Sequence, residues 1–87
     1  MKTRLVTDFD GLKQDGDYMF TDGMERIIIV LPNVGGVSLN IGKRVAPGDP
    51  KWDFSGTKEC PTLNPSINSV GMMKWHGWLK NGELTSC

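Results

Sequence analysis

Residues 75–87 of this 87-residue chain read Trp-His-Gly-Trp-Leu-Lys-Asn-Gly-Glu-Leu-Thr-Ser-Cys, and this stretch predicts a β-hairpin. The pair Asn81-Gly82 favours a two-residue type I′ turn, because both residues tolerate the positive φ angles that the turn requires. Apolar and opposite-charge pairs across two strands each stabilise a sheet by roughly 0.2–1 kcal/mol. The turn sets Leu79 opposite Leu84, Lys80 opposite Glu83, Trp78 opposite Thr85 and His76 opposite Cys87.

The segment before the hairpin predicts a third strand, residues 63–69, joined to it by a three-residue loop, Val70-Gly71-Met72. This loop sets Ser66 opposite His76, Asn64 opposite Trp78 and Asn68 opposite Lys74. Side chains that share a face alternate along a strand, so the register yields one polar and one apolar face. The polar face holds Asn64, Ser66, Asn68, Lys74, His76 and Trp78. The apolar face holds Leu63, Pro65, Ile67, Met73, Trp75 and Leu79. A two-residue turn would instead set Ser66 opposite Trp75.

The polar face brings chemistry-bearing residues into one row, Ser66, His76 and Cys87. Directly opposite Cβ atoms lie about 4.5–5.5 Å apart, close enough for a serine hydroxyl to hydrogen-bond an imidazole. A serine beside a histidine that can accept its proton is the minimum for nucleophilic catalysis. Most small domains, however, contain serine and histidine residues that never react, so the row is also compatible with a purely structural face.

The two cysteines allow other interpretations. Cys87 or Cys60 could act as the nucleophile with His76 as its base. The same three residues could help to bind zinc, although no Cys-x-x-Cys spacing supports this, and our prediction is that the chain holds no metal and no cofactor. A single disulfide is not expected in a chain without an export signal.

The rest of the chain alternates between short strands and turns. Residues 17–31 predict a hairpin around Asp22-Gly23, and the apolar run at residues 27–31 predicts a central strand buried on both faces. Further strands are expected at residues 2–9, 37–41 and 51–55, the last with Trp52 and Phe54 in the core. Eleven glycines and five prolines between such strands indicate an all-β fold, a small antiparallel sandwich or partly open barrel that ends in a C-terminal three-stranded meander.

Length and charge restrict the function classes. The length of 87 residues predicts one domain of marginal stability, which formation of a homodimer would stabilise. A formal net charge of zero offers no electrostatic basis for binding nucleic acid or an anionic membrane. The longest apolar run is far shorter than the about 20 residues of a membrane-spanning helix. The chain also begins without a signal segment, so a cytoplasmic location is expected.

Four segments carry a resemblance to a known family. They are Leu-Pro-Asn-Val-Gly-Gly-Val-Ser-Leu at 31–39, Lys-Trp-Asp-Phe at 51–54, Pro-Thr-Leu-Asn-Pro-Ser-Ile at 61–67 and Trp-His-Gly-Trp-Leu-Lys-Asn-Gly at 75–82. They resemble a family of small β-domain proteins from phages and bacteria, sometimes mislabelled as ammonia monooxygenase, and the last two segments are the most specific. Many relatives carry Pro-Cys-Gly-Cys-Gly where this chain has residues 32–36, so any metal or structural role of that loop is not expected here.

The resemblance implies a function. Some members of the family lie in bacterial operons similar to ubiquitin-conjugation systems, where the domain is thought to be a serine peptidase that processes or removes a ubiquitin-like protein. Carried over to this chain, the nucleophile is Ser66 and the base is His76. A third residue that would orient His76 is not evident from the sequence. The candidates for that role are Asn64, Asn68, Glu59, Asp53 and the terminal carboxylate of Cys87.

The polar face also supports a second hypothesis, a non-catalytic phage-type binding module that sequesters a small molecule or a host protein. Either function would use the same surface to hold its partner. The expected binding residues are Asn64, Asn68, Lys74 and Trp78.

Overall fold

The computed structural model describes residues 1–69 and 75–86, and its regular structure is almost entirely β. The strands are β1 (Arg4–Leu5), β2 (Asp17–Thr21), β3 (Arg26–Leu31), β4 (Gly35–Asn40), β5 (Asp53–Gly56), β6 (Pro61–Asn64), β7 (Ile67–Ser69), β8 (Trp75–Lys80) and β9 (Glu83–Ser86). The described residues contain one short 3₁₀ turn, Phe9–Gly11, and no α-helix. The all-β prediction is therefore confirmed. No helix in the described ranges is long and apolar enough to cross a membrane.

The strands form three sheets that share one core. Their orders are β1-β2-β3-β4, β5-β6 and β7-β8-β9, and the last is the C-terminal three-stranded meander that the sequence predicts. Across the described part of the chain, none of the three closes into a barrel. Buried residues from all three sheets pack into one hydrophobic cluster, which consists of Tyr18, Ile27, Ile29, Leu31, Leu39, Ile41, Leu63, Ile67, Trp75, Leu79 and Leu84.

Strand β3 lies in the middle of the four-stranded sheet, between β2 and β4, as predicted. The expected burial of both of its faces is wrong. Ile27, Ile29 and Leu31 are buried, whereas Ile28 and Val30 are only half-buried. Side chains alternate along a strand, so only every second residue of the apolar run faces the shared core. The intervening residues point to a face that remains partly open to solvent.

The first predicted strand, residues 2–9, is divided between two sheets. Lys2 pairs with Glu83 of β9, while β1 pairs with β2 in the only parallel arrangement among the described strands. Beyond β1, the Asp8 carboxylate accepts a hydrogen bond from the Gly11 backbone N–H at 2.9 Å. This cap starts a 3₁₀ turn and ends the extended conformation, as Asp side chains commonly do in turns.

The aromatic strand at residues 51–55 is shifted to β5, Asp53–Gly56. Trp52 therefore precedes the strand, and its backbone N–H donates to the Asn40 carbonyl at 2.9 Å. Trp52 and Phe54 are half-buried and pack against the edge of the hydrophobic cluster rather than inside it. Among the described strands, β5 pairs with β6 alone, and Phe54 is its one aromatic residue.

The β8–β9 hairpin has the predicted register, with Leu79 opposite Leu84 and Lys80 opposite Glu83. Its two turn residues, Asn81 and Gly82, have φ angles of 50° and 75°, as a type I′ turn requires. The turn is also held by β6, since the Gly82 N–H donates to the Pro61 carbonyl at 2.8 Å.

The Gly82→Val variant is expected to lower the free energy of unfolding by about 1–3 kcal/mol, because a β-branched residue is strained at positive φ. The matched control is Gly36→Val. Gly36 lies in β4 with open space around its Cα and without a positive φ, so valine there should change stability little. Urea denaturation of both variants checks the assignment, and equal midpoints for Gly82→Val and the unsubstituted protein would contradict it.

Candidate functional site

The two residues that the sequence singles out are in contact. His76 Nε2 lies 3.1 Å from Ser66 Oγ, within the about 4 Å expected for a nucleophile and its base in the absence of substrate. His76 is exposed on β8, and Ser66 is half-buried in the short link between β6 and β7. The contact therefore lies at the solvent-facing side of the C-terminal sheet.

The register that brings the pair together differs from the predicted one. Strand β7 pairs with β8 so that Asn68, not Ser66, lies opposite His76, and Ile67 lies opposite Gly77. The prediction that sets Asn68 opposite Lys74 is therefore wrong. A displacement of two residues keeps each side chain on its expected face, because the strand repeat is also two residues. Ser66 consequently reaches His76 diagonally. The predicted loop at residues 70–72 lies outside the described residues.

Asn64 does not lie opposite Trp78 either. It ends strand β6 and pairs with Asp53 of β5, so the single predicted strand at residues 63–69 is in fact two strands, β6 and β7. Residues Pro65 and Ser66 form the link between them. The side chain of Asn64 is exposed on β6, and Pro65, predicted to be on the apolar face, is exposed as well.

The remaining binding residues of the prediction are placed as follows. Asn68 and Trp78 are exposed, and 39% of Trp78 is accessible to solvent. The Trp78 ring lies beside the imidazole of His76, with centroids 5.9 Å apart and planes tilted by 34°. Lys74 lies outside the described residues. The described polar surface around Ser66 and His76 thus includes an amide and an indole that a bound chain could contact.

The buried face of β8 fixes the position of His76. Trp75, Gly77 and Leu79 are buried, whereas His76 and Trp78 on the alternate positions are exposed. Glycine is required at position 77, because a Cβ there would collide with the Trp75 ring and with the Thr85 carbonyl. The Trp75 ring can therefore lie over the strand, and the backbone that carries His76 is packed against the core.

The backbone of Ser66 is held by a hydrogen bond that the sequence does not predict. The Trp52 indole N–H donates to the backbone carbonyl of Ser66 at 3.2 Å. The sequence pattern indicates only a core role for Trp52. The sequence indicates only that the indole N–H of a buried tryptophan usually finds a hydrogen-bond acceptor. Which acceptor it finds depends on the packing of the sheets.

The described residues that were expected to orient His76 do not form a hydrogen bond with its ring. In the ranges 1–69 and 75–86, no carboxylate or amide forms a hydrogen bond with His76, including those of Asn64, Asn68, Asp53 and Glu59. Cys87, which the predicted register sets opposite His76, lies outside the described residues. Among the described residues, Ser66 is thus the one hydrogen-bond partner of the His76 ring.

The alternative in which Cys60 is the nucleophile receives no support from the described residues, and the alternatives that use Cys87 involve a residue outside them. Cys60 is exposed and lies beside Gly82, at the turn end of the β8–β9 hairpin. His76 lies near the opposite end of β8, so Cys60 is poorly placed to use it as a base. Within the described part of the chain, no three His, Cys, Asp or Glu side chains are grouped as a metal site would require.

Comparison with known proteins gives one finding. A family model described as "Bacterial ubiquitination-like system serine protease (BubE)" matches residues 18–87. No curated protein and no solved structure matches the chain. The family match begins within β2, continues through β9 and includes both members of the Ser66–His76 contact. Because it spans most of the sequence, the chain belongs to the family of bacterial ubiquitination-like system serine proteases.

Proposed function

We propose that this protein is a serine protease in which Ser66 is the nucleophile and His76 is the general base. The observation that carries the proposal is the 3.1 Å contact between Ser66 Oγ and His76 Nε2. For the hydroxyl to donate to Nε2, the neutral imidazole carries its proton on Nδ1. His76 then accepts the hydroxyl proton as Oγ attacks the scissile carbonyl.

The rest of the reaction follows from this proton transfer. Imidazolium returns the proton to the leaving amine, which leaves an acyl group on Ser66. A water molecule, deprotonated by His76, then hydrolyses the acyl-enzyme. The tetrahedral oxyanion needs backbone N–H donors, and the N–H of Ile67, which follows Ser66 in the sequence, is a candidate.

Two observations support a proposal for the substrate class, the shape of the site and the family description. Small-molecule sites bury most of their ligand in a concave pocket, whereas His76, Asn68 and Trp78 lie exposed on a sheet face. Such a surface suits a segment of a protein. The family description names a ubiquitination-like system, and we therefore propose a ubiquitin-like protein or its conjugates as substrate, held by Asn64, Asn68, Lys74 and Trp78.

Cleavage of a bacterial ubiquitin-like protein fused through its C terminus to a reporter tests this function. The unsubstituted protein should release the reporter, and Ser66→Ala should not, because it lacks the attacking oxygen. The matched control is Ser38→Ala, which removes an exposed serine of β4 and should retain full activity. Mass spectrometry of the products measures release. Stable binding of the fusion without cleavage would contradict the protease and favour a binding module.

A further inference from the structure

We propose that Trp52 is a positioning residue for the nucleophile, an inference that rests on the proposed function of Ser66. Ser66 lies in the link between β6 and β7 and not within a strand, so the regular ladder of backbone hydrogen bonds does not include it. The Trp52 indole N–H supplies a bond instead, to the Ser66 carbonyl at 3.2 Å.

Trp52 is itself held from two sides. Its backbone N–H donates to the Asn40 carbonyl at the end of β4, at 2.9 Å. Its side chain is half-buried and packs against the hydrophobic cluster. The side-chain amide of Asn40 also donates to the Pro50 carbonyl at 3.1 Å. This bond restrains the segment that leads to Trp52. The indole therefore connects a fixed point of the four-stranded sheet to the backbone of the proposed nucleophile.

The bond controls the direction of the serine side chain. Rotation of the peptide group that follows Ser66 would shift its Cα and carry Oγ away from His76 Nε2. Displacements of about 1 Å at a reacting atom can reduce a rate by about 100-fold, because the productive geometry is lost. In this proposal Trp52 acts through its hydrogen bond to the Ser66 carbonyl, which is not one of the reacting atoms.

The Trp52→Phe variant tests the inference, since it retains an aromatic ring and deletes the N–H. The second-order rate constant for reaction with a fluorophosphonate is expected to fall by about tenfold or more. The matched control is Tyr18→Phe, which also deletes one side-chain bond to a backbone carbonyl, that of Lys58. Tyr18→Phe should lower the melting temperature and leave the rate constant of the folded protein unchanged.

A second measurement does not depend on reactivity. In NMR spectra of the folded protein, Trp52→Phe should shift the Ser66 carbonyl ¹³C signal and the His76 imidazole ¹⁵N signals, and Tyr18→Phe should shift neither. The inference would be overturned if Trp52→Phe lowered the melting temperature but left the rate constant and the His76 signals unchanged. Trp52 would then have only a structural role. If the unsubstituted protein does not react at all, the proposed function fails, and the positioning role is then decided by the NMR signals alone.

Discussion

Replacing Ser66 or His76 with alanine is expected to reduce kcat of the proposed proteolysis by on the order of 10³-fold or more in each case. Ser66→Ala removes the attacking oxygen, and His76→Ala removes the group that accepts its proton. Both variants should fold normally, because His76 is exposed and Ser66 is only half-buried in a link between strands. Steady-state kinetics together with thermal denaturation separates the loss of activity from any loss of stability.

The double variant makes this prediction sharper. A nucleophile and its base act as one unit, so Ser66→Ala combined with His76→Ala should be no slower than the worse single variant. If the protein is instead a binding module, Ser66 and His76 would contribute to affinity independently. Each substitution would then weaken affinity by a modest factor, the factors would multiply, and similar losses would follow from changes at Asn68 and Trp78.

Replacing Asp17 with alanine is expected to lower the free energy of unfolding by about 2–4 kcal/mol at neutral pH. Only 1% of Asp17 is exposed, and its carboxylate accepts hydrogen bonds from Arg4 Nε at 2.9 Å and from Arg4 Nη2 at 2.8 Å. The backbone N–H groups of Lys13 and Gln14 donate to it as well. The substitution leaves these donors without their acceptor. Denaturation in urea measures the change.

The surface pair of Asp22 and Arg26 supplies the matched control. The side-chain atoms of the two residues are 3.8 Å apart and more than half exposed on both, so Arg26→Ala, which removes this pair from the strand side, should change stability by less than about 0.5 kcal/mol. Similar effects of Asp17→Ala and Arg26→Ala would contradict the role assigned to Asp17.

The contribution of Asp17 should also depend on pH. Hydrogen bonding from Arg4 holds the pKa of Asp17 well below its usual value, and the backbone N–H donors act in the same direction, while burial opposes them. In the unfolded chain the pKa of this group returns to about 3.9. The stabilisation is therefore fully present above that pKa and is lost as the pH falls below it. The difference between the unsubstituted protein and Asp17→Ala should shrink accordingly.

Local patterns predict much of this fold because they depend on neighbours in the sequence. The Asn81-Gly82 turn determines the register of β8 and β9, and alternation of polarity places His76 and Trp78 on the exposed face. The same alternation places Ser66 on the same face as His76, although the observed pairing is displaced by two residues from the predicted one. A period of two cannot distinguish registers that differ by two.

Features that depend on contacts between sheets are not predictable in this way. The parallel pairing of β1 with β2 places Arg4 beside Asp17, and nothing in the local pattern of either segment indicates it. The bond from Trp52 to the Ser66 carbonyl joins segments 14 residues apart in sequence and requires the packed arrangement of all three sheets. A polarity pattern predicts which face of a sheet a residue occupies. It does not predict which group from a distant part of the sequence that residue contacts.

Location of a fluorophosphonate adduct by peptide mapping tests the central claim most directly. Only a serine whose hydroxyl is activated by a neighbouring base should react readily with this reagent. A single adduct on Ser66, absent when His76 is replaced with alanine, is the result expected for a Ser66–His76 catalytic pair. An adduct on any other residue, or labelling of Ser66 that does not depend on His76, would contradict it.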